Sequence, residues 1–452
     1  QWLWAEMGQA PLALALEPLT RLAALAARPF GGLRLEDMAG AYRDEFWRVD
    51  AAAREALAQV RTQADTQALS AALGALYVPW LDEANRRFQD LVRQDGYPGA
   101  RVVREPNGAY QGCGECWLFV DGLRYDVAQD LATLLKNQGL EVSVASAWAT
   151  VPSVTASGKV ACSPVAHLAQ GRDADQDFVP SHGTLDKPLN TAVLRKALKE
   201  AGWQVLGGGE TGDPAGRGWM ETGDLDHYGH EHGLRLAREV PVILDALVEQ
   251  VRVLIDAGWQ RIRIVTDHGW LLVPGGLPKT ELAKFLTATR WGRCAALTAT
   301  AQPTELTLTW SWCPAVRIAM APGIASFIAG KVYDHGGLSL QESLIPVMTV
   351  TRPAGIADQV VVAVEEVSWT GLRCRVTVAG GGAGAGAGYT ADLRRKANDP
   401  LTSQAGGGKP LKDGKASLVI EDDTLEGEAI SLVILNEMGQ AVARVATVIG
   451  GA

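Results

Sequence analysis

The sequence of 452 residues has little cysteine and no long apolar run, and each lack excludes a class of protein. No uninterrupted apolar run reaches the about 18 residues that a membrane-spanning helix needs, so we expect no membrane span. Six cysteines are too few for a disulfide scaffold in a chain of this length. We therefore expect a reducing, cytoplasmic compartment.

An excess of positive charge is also missing. Lys and Arg number 42 against 51 Asp and Glu, a net charge of −9 that excludes a general polyanion binder of the histone type. A local basic groove stays possible, because net charge says little about one face. Gln1 falls within a predicted helix, with no charged n-region and cleavage site before it. We therefore expect no signal peptide, and a fragment of a longer protein.

The apolar pattern divides the chain into three predicted domains, as expected at roughly 100–200 residues per domain. Residues 1–104 show successive amphipathic helices, which we interpret as a packing or docking domain. Residues 105–355 alternate short apolar strands with helices. That rhythm predicts an α/β domain, with a mostly parallel sheet covered by helices on both faces. Residues 358–452 hold short strands between turn signals, which predicts a small β-sandwich.

Histidine is scarce, but five of the seven residues fall in three short segments that also carry Asp. Functional sites in α/β sheets lie at the carboxyl ends of strands. The segment 265–269, V-T-D-H-G, ends a predicted buried strand. Asp267 and His268 could therefore both reach one metal ion. A capping Asp beside a surface His is the structural alternative.

The other two histidine segments offer a second set of ligands. Asp226 and His230 are four residues apart and share one side of a helix or tight turn. A carboxylate with an imidazole suits zinc or manganese. His227 and His232 compete for the same role, and a polar cluster before a helix is the structural alternative. His335, which precedes two glycines, could be a third ligand.

Two further segments place polar side chains at predicted element ends. Asp121 follows an apolar strand, where it either caps the next helix or binds a metal. Thr155 begins a predicted helix, where a hydroxyl meets the positive helix end and free amides. With a metal bound it would become an alkoxide nucleophile, and otherwise it is an N-cap. Thr150, Ser153 and Ser157 are rival hydroxyls.

These segments together predict two metal ions. Two ions about 4 Å apart can clamp both the attacking and the leaving oxygen of a phosphoryl transfer. The predicted ligands are, for one ion, Asp121, Thr155, Asp267 and His268 and, for the other, Asp226, His230 and His335.

The order of these motifs resembles that of the alkaline phosphatase superfamily and, within it, the PglZ family. The resemblance covers about residues 115–350. In nucleotide pyrophosphatase/phosphodiesterase relatives, motifs like 226–233 and 266–269 each supply two ligands of one metal ion. The motifs are V-D-G-L-R-Y-D at 120–126, P-S-V-T at 152–155, D-H-Y-G-H-E-H-G at 226–233, V-T-D-H-G-W at 265–270 and D-H-G-G-L-S-L-Q-E-S-L-I-P-V at 334–347.

The resemblance implies a phosphate-ester hydrolase of the bacterial BREX phage-defence system, with a phosphodiesterase or nuclease as the first expectation. It implies a central sheet between helical layers and two divalent ions, zinc first and manganese second. It also implies DNA or a nucleotide as substrate, and other BREX proteins such as the PglX methyltransferase as partners in the bacterial cytoplasm.

The resemblance also suggests a mechanism and one departure from it. Thr155 would attack phosphorus in line, while Arg124 or Lys159 helps to neutralise the equatorial oxygens. Diester-cleaving relatives often carry an Asn a few residues after the nucleophile, where this chain has Gly158 and Lys159. A phosphomonoesterase therefore stays open. So does a phosphatase-like scaffold of the defence complex, in which the metals serve structure.

Overall fold

The computed structural model describes residues 10–102, 114–173, 177–302, 304, 306–353, 363–379, 388–395, 400–436, 439 and 441–451. The chain forms two compact units, Gln1–Arg352 and Pro353–Ala452. The predicted domain boundaries, at 104–105 and 355–358, lie outside the described residues. The division into three domains therefore stays a prediction.

In its described part, the first unit begins with helices α1 Pro11–Ala26, α2 Leu35–Ala41, α3 Trp47–Gln59 and α4 Gln63–Asp95. A single π-helical turn, Tyr42–Phe46, joins α2 to α3. Helix α4 starts at Thr62, whose side chain accepts a hydrogen bond from the Asp65 amide and so caps the helix. Its buried residues recur at helical spacing, as an amphipathic helix requires. They include Leu69, Leu73, Tyr77 and Leu81.

These helices share their core with the α/β segment that follows. One hydrophobic cluster joins Val49 and Leu73 to Leu118 and Ile264 in the central sheet. Buried polar side chains make further links, such as Gln89 Nε2, which donates to the Leu338 carbonyl at 2.9 Å. Burial of both apolar and polar groups therefore fixes the helices on the α/β segment.

The α/β segment alternates strands and helices, with short 3₁₀ turns at Ala166–Leu168, Gly233–Arg235 and Lys284–Leu286. In chain order its elements are β1 Glu115–Val120, α5 Tyr125–Asn137, β2 Glu141–Trp148, α6 Thr155–Ala161, β3 Ala169–Gln170, β4 Ser181–His182, α7 Thr191–Glu200, β5 Gln204–Leu206, β6 Arg217–Thr222, α8 Leu225–His232, α9 Leu236–Asp256, β7 Arg261–Val265, β8 Leu271–Leu272, β9 Thr287–Arg290, β10 Cys294–Leu297, β11 Thr307–Trp310, β12 Cys313–Met320, β13 Tyr333–Asp334, α10 Leu340–Ser343 and β14 Leu344–Thr351.

The central sheet has the strand order β2-β14-β7-β1-β6-β5. Strands β7, β1, β6 and β5 pair in parallel, and β14 runs antiparallel to both β2 and β7. Alternate residues face opposite sides, so Leu118 belongs to the cluster that includes α5 and α9, whereas Phe119 belongs to a second cluster with Leu198 of α7. The α/β class is confirmed, and the single reversed strand makes the sheet mixed.

Smaller pairings bring the histidine segments together. Strand β8 pairs antiparallel with β13, with Tyr333 opposite Leu272. This pairing lays the segment that carries His335 beside the segment that follows β7. A separate antiparallel sheet has the order β11-β12-β10-β9.

The described part of the second unit contains β-strands and two short 3₁₀ turns, Pro400–Thr402 and Asp423–Leu425. Its strands are β15 Ala363–Thr370, β16 Arg373–Ala379, β17 Thr390–Arg394, β18 Lys409–Pro410, β19 Lys415–Val419, β20 Ala429–Leu435 and β21 Ala441–Val448. They form two antiparallel sheets, β15-β16-β19 and β18-β17-β20-β21. Cys374 and Leu418 of the first sheet share one hydrophobic core with Leu393 and Leu432 of the second. Two sheets on one core are typical of a β-sandwich.

No helix in the described ranges has both the length and the apolar character that a membrane crossing requires.

Candidate metal centre

The site begins where two neighbouring parallel strands end at the same edge of the sheet. Asp121 follows β1 and Asp267 follows β7. Hydrogen bonds hold the two turns together, because the Gly122 amide donates to Asp267 Oδ1 at 3.3 Å and the Leu123 amide donates to Thr266 Oγ1 at 3.0 Å. The parallel register therefore brings both carboxylates to one place.

A first group of candidate ligands forms around His268. Its Nε2 atom lies 3.6 Å from Asp121 Oδ1 and 3.6 Å from Asp267 Oδ2. Thr155 Oγ1, at the first residue of α6, lies 3.1 Å from His268 Nε2 and 3.4 Å from Asp121 Oδ1. The structure thus brings together the four residues that the sequence predicted for one ion.

A second group forms around α8. Asp226 and His230 lie one helical turn apart, with Oδ2 of one 3.5 Å from Nε2 of the other. His335 Nε2 lies 3.4 Å from Asp226 Oδ1 and 3.0 Å from His230 Nε2. The three residues predicted for the other ion are therefore also neighbours.

The two groups form one continuous cluster. The rings of His268 and His335 stack, with centroids 3.8 Å apart and planes 10° apart. Ligand atoms of Asp226, His268 and His335 lie within 4.8 Å of one another, as do those of Asp121, Asp267 and His268. Because His268 belongs to both groups, the division of ligands between two ions stays a prediction.

Two histidines are oriented as metal ligands usually are. His268 Nδ1 lies 3.1 Å from the Gly269 carbonyl, and His335 Nδ1 lies 3.0 Å from the Ser153 carbonyl. A carbonyl accepts only, so each Nδ1 carries the proton. In the neutral ring, the lone pair is then on Nε2, which faces the cluster. Metal-bound histidines commonly donate their other ring N–H in this way.

The Asp121 and Asp267 carboxylates lie so close together that ionising both is unfavourable unless a cation is bound. Burial, and then the charge of Asp267, raise the pKa of Asp121 to about 7. Burial, and then the charge of Asp226, raise the pKa of Asp267 to about 6. Asp267 Oδ2 is buried and accepts no hydrogen bond from any described residue. Since buried polar atoms are normally satisfied, this oxygen fits a metal ligand. Carboxylate, imidazole and hydroxyl donors together suit zinc or manganese.

The rival residues point elsewhere. His227 is 64% exposed and pairs with Glu231 at 3.4 Å, while His232 is 41% exposed and packs on the Tyr228 ring at 4.3 Å. Their described contacts lie along α8 and its end, away from Asp226.

The rival hydroxyls are engaged with backbone carbonyls. Thr150 Oγ1 donates to Pro152, Ser153 Oγ to Gly337 and Ser157 Oγ to Phe178. Among these four hydroxyl groups, only that of Thr155 has a described contact with the ligand cluster.

The two predicted phosphate-binding cations are engaged with acids. Lys159 Nζ lies 2.7 Å from Glu221 Oε2. Arg124 is buried, and its Nε and Nη2 atoms contact the two oxygens of Asp126 at 2.5 and 3.0 Å. Its guanidinium also lies 3.8 Å from the Trp270 ring centroid. Each cation therefore already has an acidic partner, and its role in phosphate binding stays a prediction.

Sequence reasoning missed residues that surround the cluster. Tyr333 donates from its hydroxyl to Asp226 Oδ1 at 2.7 Å. Lys331, half-buried on the same segment, forms no ion pair within the described part of the chain. Burial lowers the pKa of His230 and the Asp226 carboxylate opposes that shift, while the charges of His335 and Lys331 lower the pKa further. The only sequence signal was their position just before His335.

Comparisons with known proteins find only weak structural similarity. No family model and no curated protein matches the chain. The chain is similar to the solved structure of murine ectonucleotide pyrophosphatase/phosphodiesterase 5, with 12% identity over 53% of this chain and 88% of that one and a TM-score of 0.36. It is also similar to an inactive variant of the same protein in complex with AMP, with 10% identity, 54% and 89% coverage and a TM-score of 0.34. Similarity at this level is too weak to assign a family or an activity.

Proposed function

We propose that this chain is a metal-dependent phosphate-ester hydrolase, in the first place a phosphodiesterase, with Thr155 as its nucleophile. One observation supports this above the others. Thr155 Oγ1 lies 3.1 Å from His268 Nε2 and 3.4 Å from Asp121 Oδ1, so a reactive hydroxyl lies within the cluster of candidate ligands.

The proposed ion ligands are those that the structure brings together, and the ions are zinc or manganese. When bound, such a pair of ions stabilises negative charge on the oxygens of a reacting phosphate. The ligands of one ion would be Asp121, Thr155, Asp267 and His268, and those of the other Asp226, His230 and His335.

The chain's own residues orient and deprotonate the nucleophile. Two acceptors lie within reach of the Thr155 hydroxyl, His268 Nε2 at 3.1 Å and Asp121 Oδ1 at 3.4 Å, and both are candidates for the proton lost on attack. The Thr155 Oγ1–phosphorus bond forms as the bond from phosphorus to the leaving oxygen breaks. Hydrolysis of the phosphorylated threonine then restores the hydroxyl.

The family assignment and the biological role are part of the proposal. The motif order at 120–126, 152–155, 226–233, 265–270 and 334–347 supports membership of the PglZ family, within the alkaline phosphatase superfamily. On that basis we propose a cytoplasmic role in BREX phage defence. DNA or a nucleotide would be the substrate, and the PglX methyltransferase would be among the partners.

A scaffold with structural metals is the second candidate. The observation that favours it is the engagement of Lys159 with Glu221 and of Arg124 with Asp126, which leaves neither cation free for a substrate phosphate. In this case the metals would bind without turnover.

Hydrolysis of two chromogenic esters separates these functions. Bis-p-nitrophenyl phosphate and p-nitrophenyl phosphate would be tested with zinc, with manganese and with EDTA. We expect metal-dependent diester cleavage that Thr155→Ala abolishes. Thr133→Ala, which removes an exposed helical hydroxyl, should leave it unchanged. Faster monoester cleavage would indicate a phosphomonoesterase. Metal binding without turnover of either ester would favour the scaffold.

A further inference from the structure

Tyr333 connects two of the candidate ligands. It is the first residue of β13 and is buried, with 2% of its surface exposed. Its hydroxyl donates to Asp226 Oδ1 at 2.7 Å. Its ring packs edge-on against the His230 imidazole, with centroids 5.0 Å apart. One side chain thus contacts both ligands that α8 supplies.

Gly229 makes this contact possible. A Cβ atom at position 229 would lie 2.3 Å from Tyr333 Cε2, a distance that real Cβ atoms essentially never show. The Tyr333 ring therefore lies against the bare backbone of α8, between Asp226 and His230. Trp270 packs on Tyr333, with ring centroids 5.5 Å apart, and helps to hold it there.

We propose that Tyr333 is a positioning residue that fixes the orientation of Asp226 and His230 for metal binding. This inference rests on the metal centre of the proposed function. It assigns a role to Tyr333 and gives a reason for glycine at position 229.

The physical basis is control of carboxylate rotation. The Tyr333 hydroxyl engages Asp226 Oδ1, while Asp226 Oδ2 faces His230 Nε2 at 3.5 Å. Without the hydroxyl, the Asp226 carboxylate is free to rotate. Metal binding would then have to fix its orientation, and the lost conformational entropy would weaken the affinity. Loss of an outer hydrogen-bond partner of a metal ligand typically costs about 10- to 100-fold in affinity.

Tyr333→Phe removes the hydroxyl and keeps the ring. Metal-free protein would be titrated with Mn²⁺ and with Zn²⁺ by isothermal titration calorimetry. We expect about a 10-fold loss of affinity in one of two binding steps.

Tyr42→Phe is the matched control. Tyr42 is also fully buried and donates to a buried carboxylate, Asp50 Oδ2, at the same 2.7 Å. The Tyr42→Phe variant should have a lower melting temperature and an unchanged metal affinity. A merely structural Tyr333 would behave in the same way as Tyr42.

A double mutant tests whether Tyr333 acts through Asp226. In an Asp226→Asn background, Tyr333→Phe should cause no further loss of affinity. If Tyr333→Phe does not fold, Gly229→Ala displaces the same ring and should also weaken binding. Unchanged affinity in a folded Tyr333→Phe or Gly229→Ala protein would overturn the role of Tyr333 alone. Failure of the wild-type protein to bind either ion would overturn the metal centre, and with it both this inference and the proposed function.

Discussion

Two groups of aspartates, one at the candidate metal centre and one between the first helices and the sheet, differ in how their charges are satisfied. Between helices and sheet, Asp126 contacts both Arg124 and Arg54, and Asp50 accepts from Tyr42, Tyr77 and Gln341. At the metal centre, Asp267 Oδ2 has no partner among the described residues, and Asp121 faces other acids and imidazoles.

The pKa values of one aspartate from each group, Asp126 and Asp267, differ accordingly. Burial disfavours ionisation of Asp126, but the Arg124 and Arg54 guanidinium groups lower its pKa to about 2. Burial and the charge of Asp226 instead raise the pKa of Asp267 to about 6. Asp126 and Asp267 are both fully buried, with 0% and 1% of their surface exposed, so their different partners decide the direction in which the pKa moves. We call the ion pairs of Asp126 with Arg124 and Arg54 the closed network, and Asp121 with Asp267 the open network. The closed network stabilises the fold, whereas the open network costs free energy until a cation binds.

The largest expected change in stability comes from breaking the closed network. Asp126→Asn leaves the buried guanidinium groups of Arg124 and Arg54 without their full charge partner. Breaking a buried ion pair typically costs about 3–5 kcal/mol, so we expect a loss of that size in the free energy of unfolding. Chemical denaturation measures it. Asp267→Asn is the matched change in the open network and should not destabilise the metal-free protein. A similar loss of stability in Asp267→Asn would contradict the distinction between the two networks.

The second prediction concerns addition of metal to the open network. Zn²⁺ or Mn²⁺ at 100 times its dissociation constant should stabilise the folded protein by about 2.7 kcal/mol. Thermal unfolding with the ion and with EDTA measures the difference. Asp267→Asn should abolish it, whereas Glu36→Gln, which changes an exposed acid of α2, should not. Stabilisation that survives Asp267→Asn would place the ion elsewhere.

The third prediction concerns pH. Asp121 and Asp267 have folded-state pKa values of about 7 and 6, above the about 3.9 of an unfolded aspartate. Their contribution to the stability of the metal-free protein is full below pH 4 and is lost as the pH rises through 6 and 7. Metal ligation requires the ionised form. The stabilisation free energy that the metal contributes should therefore be larger at pH 8 than at pH 5.5, by on the order of 1 kcal/mol. Thermal unfolding at the two pH values, with and without metal, measures it.

A control for the pH effect is Asp121→Asn, which removes one of the two groups. The difference between pH 8 and pH 5.5 should shrink in this variant. A metal effect that is independent of pH in the wild-type protein would contradict the raised pKa values.

The smallest expected effect concerns which histidine of α8 binds the metal. His227→Ala and His232→Ala remove exposed rings, so the metal affinity and stability should change by no more than about 0.5 kcal/mol. His230→Ala should instead abolish one binding step. Calorimetric titration of the three variants distinguishes them, and a large loss in either exposed variant would revive the rival ligands.

Much of the site could be predicted from local sequence, since strand ends and helical spacing are local properties. Asp121 and Asp267 follow apolar strands, and Asp226 and His230 are one turn apart, so their convergence follows from an α/β sheet. Pairing between distant segments could not be predicted in this way. Lys159 contacts Glu221, 62 residues away, and no local pattern indicates that contact.

The fold shows the same limit. The strand and helix alternation predicted the class, but the reversed direction of β14 depends on pairing with β2, about 200 residues earlier in the chain. The close packing of the first helices on the sheet depends likewise on distant contacts, such as that of Asp50 with Gln341. Tyr333 was missed because its contact with Asp226 spans 107 residues.

The most direct test of the proposed centre is mass spectrometry of protein quenched in acid during turnover of bis-p-nitrophenyl phosphate with metal. We predict a peptide in which Thr155 carries the p-nitrophenyl phosphoryl group, absent with EDTA and absent in Thr155→Ala. An unmodified Thr155 peptide throughout active turnover, or a phosphoryl group on another residue, would contradict Thr155 as the nucleophile.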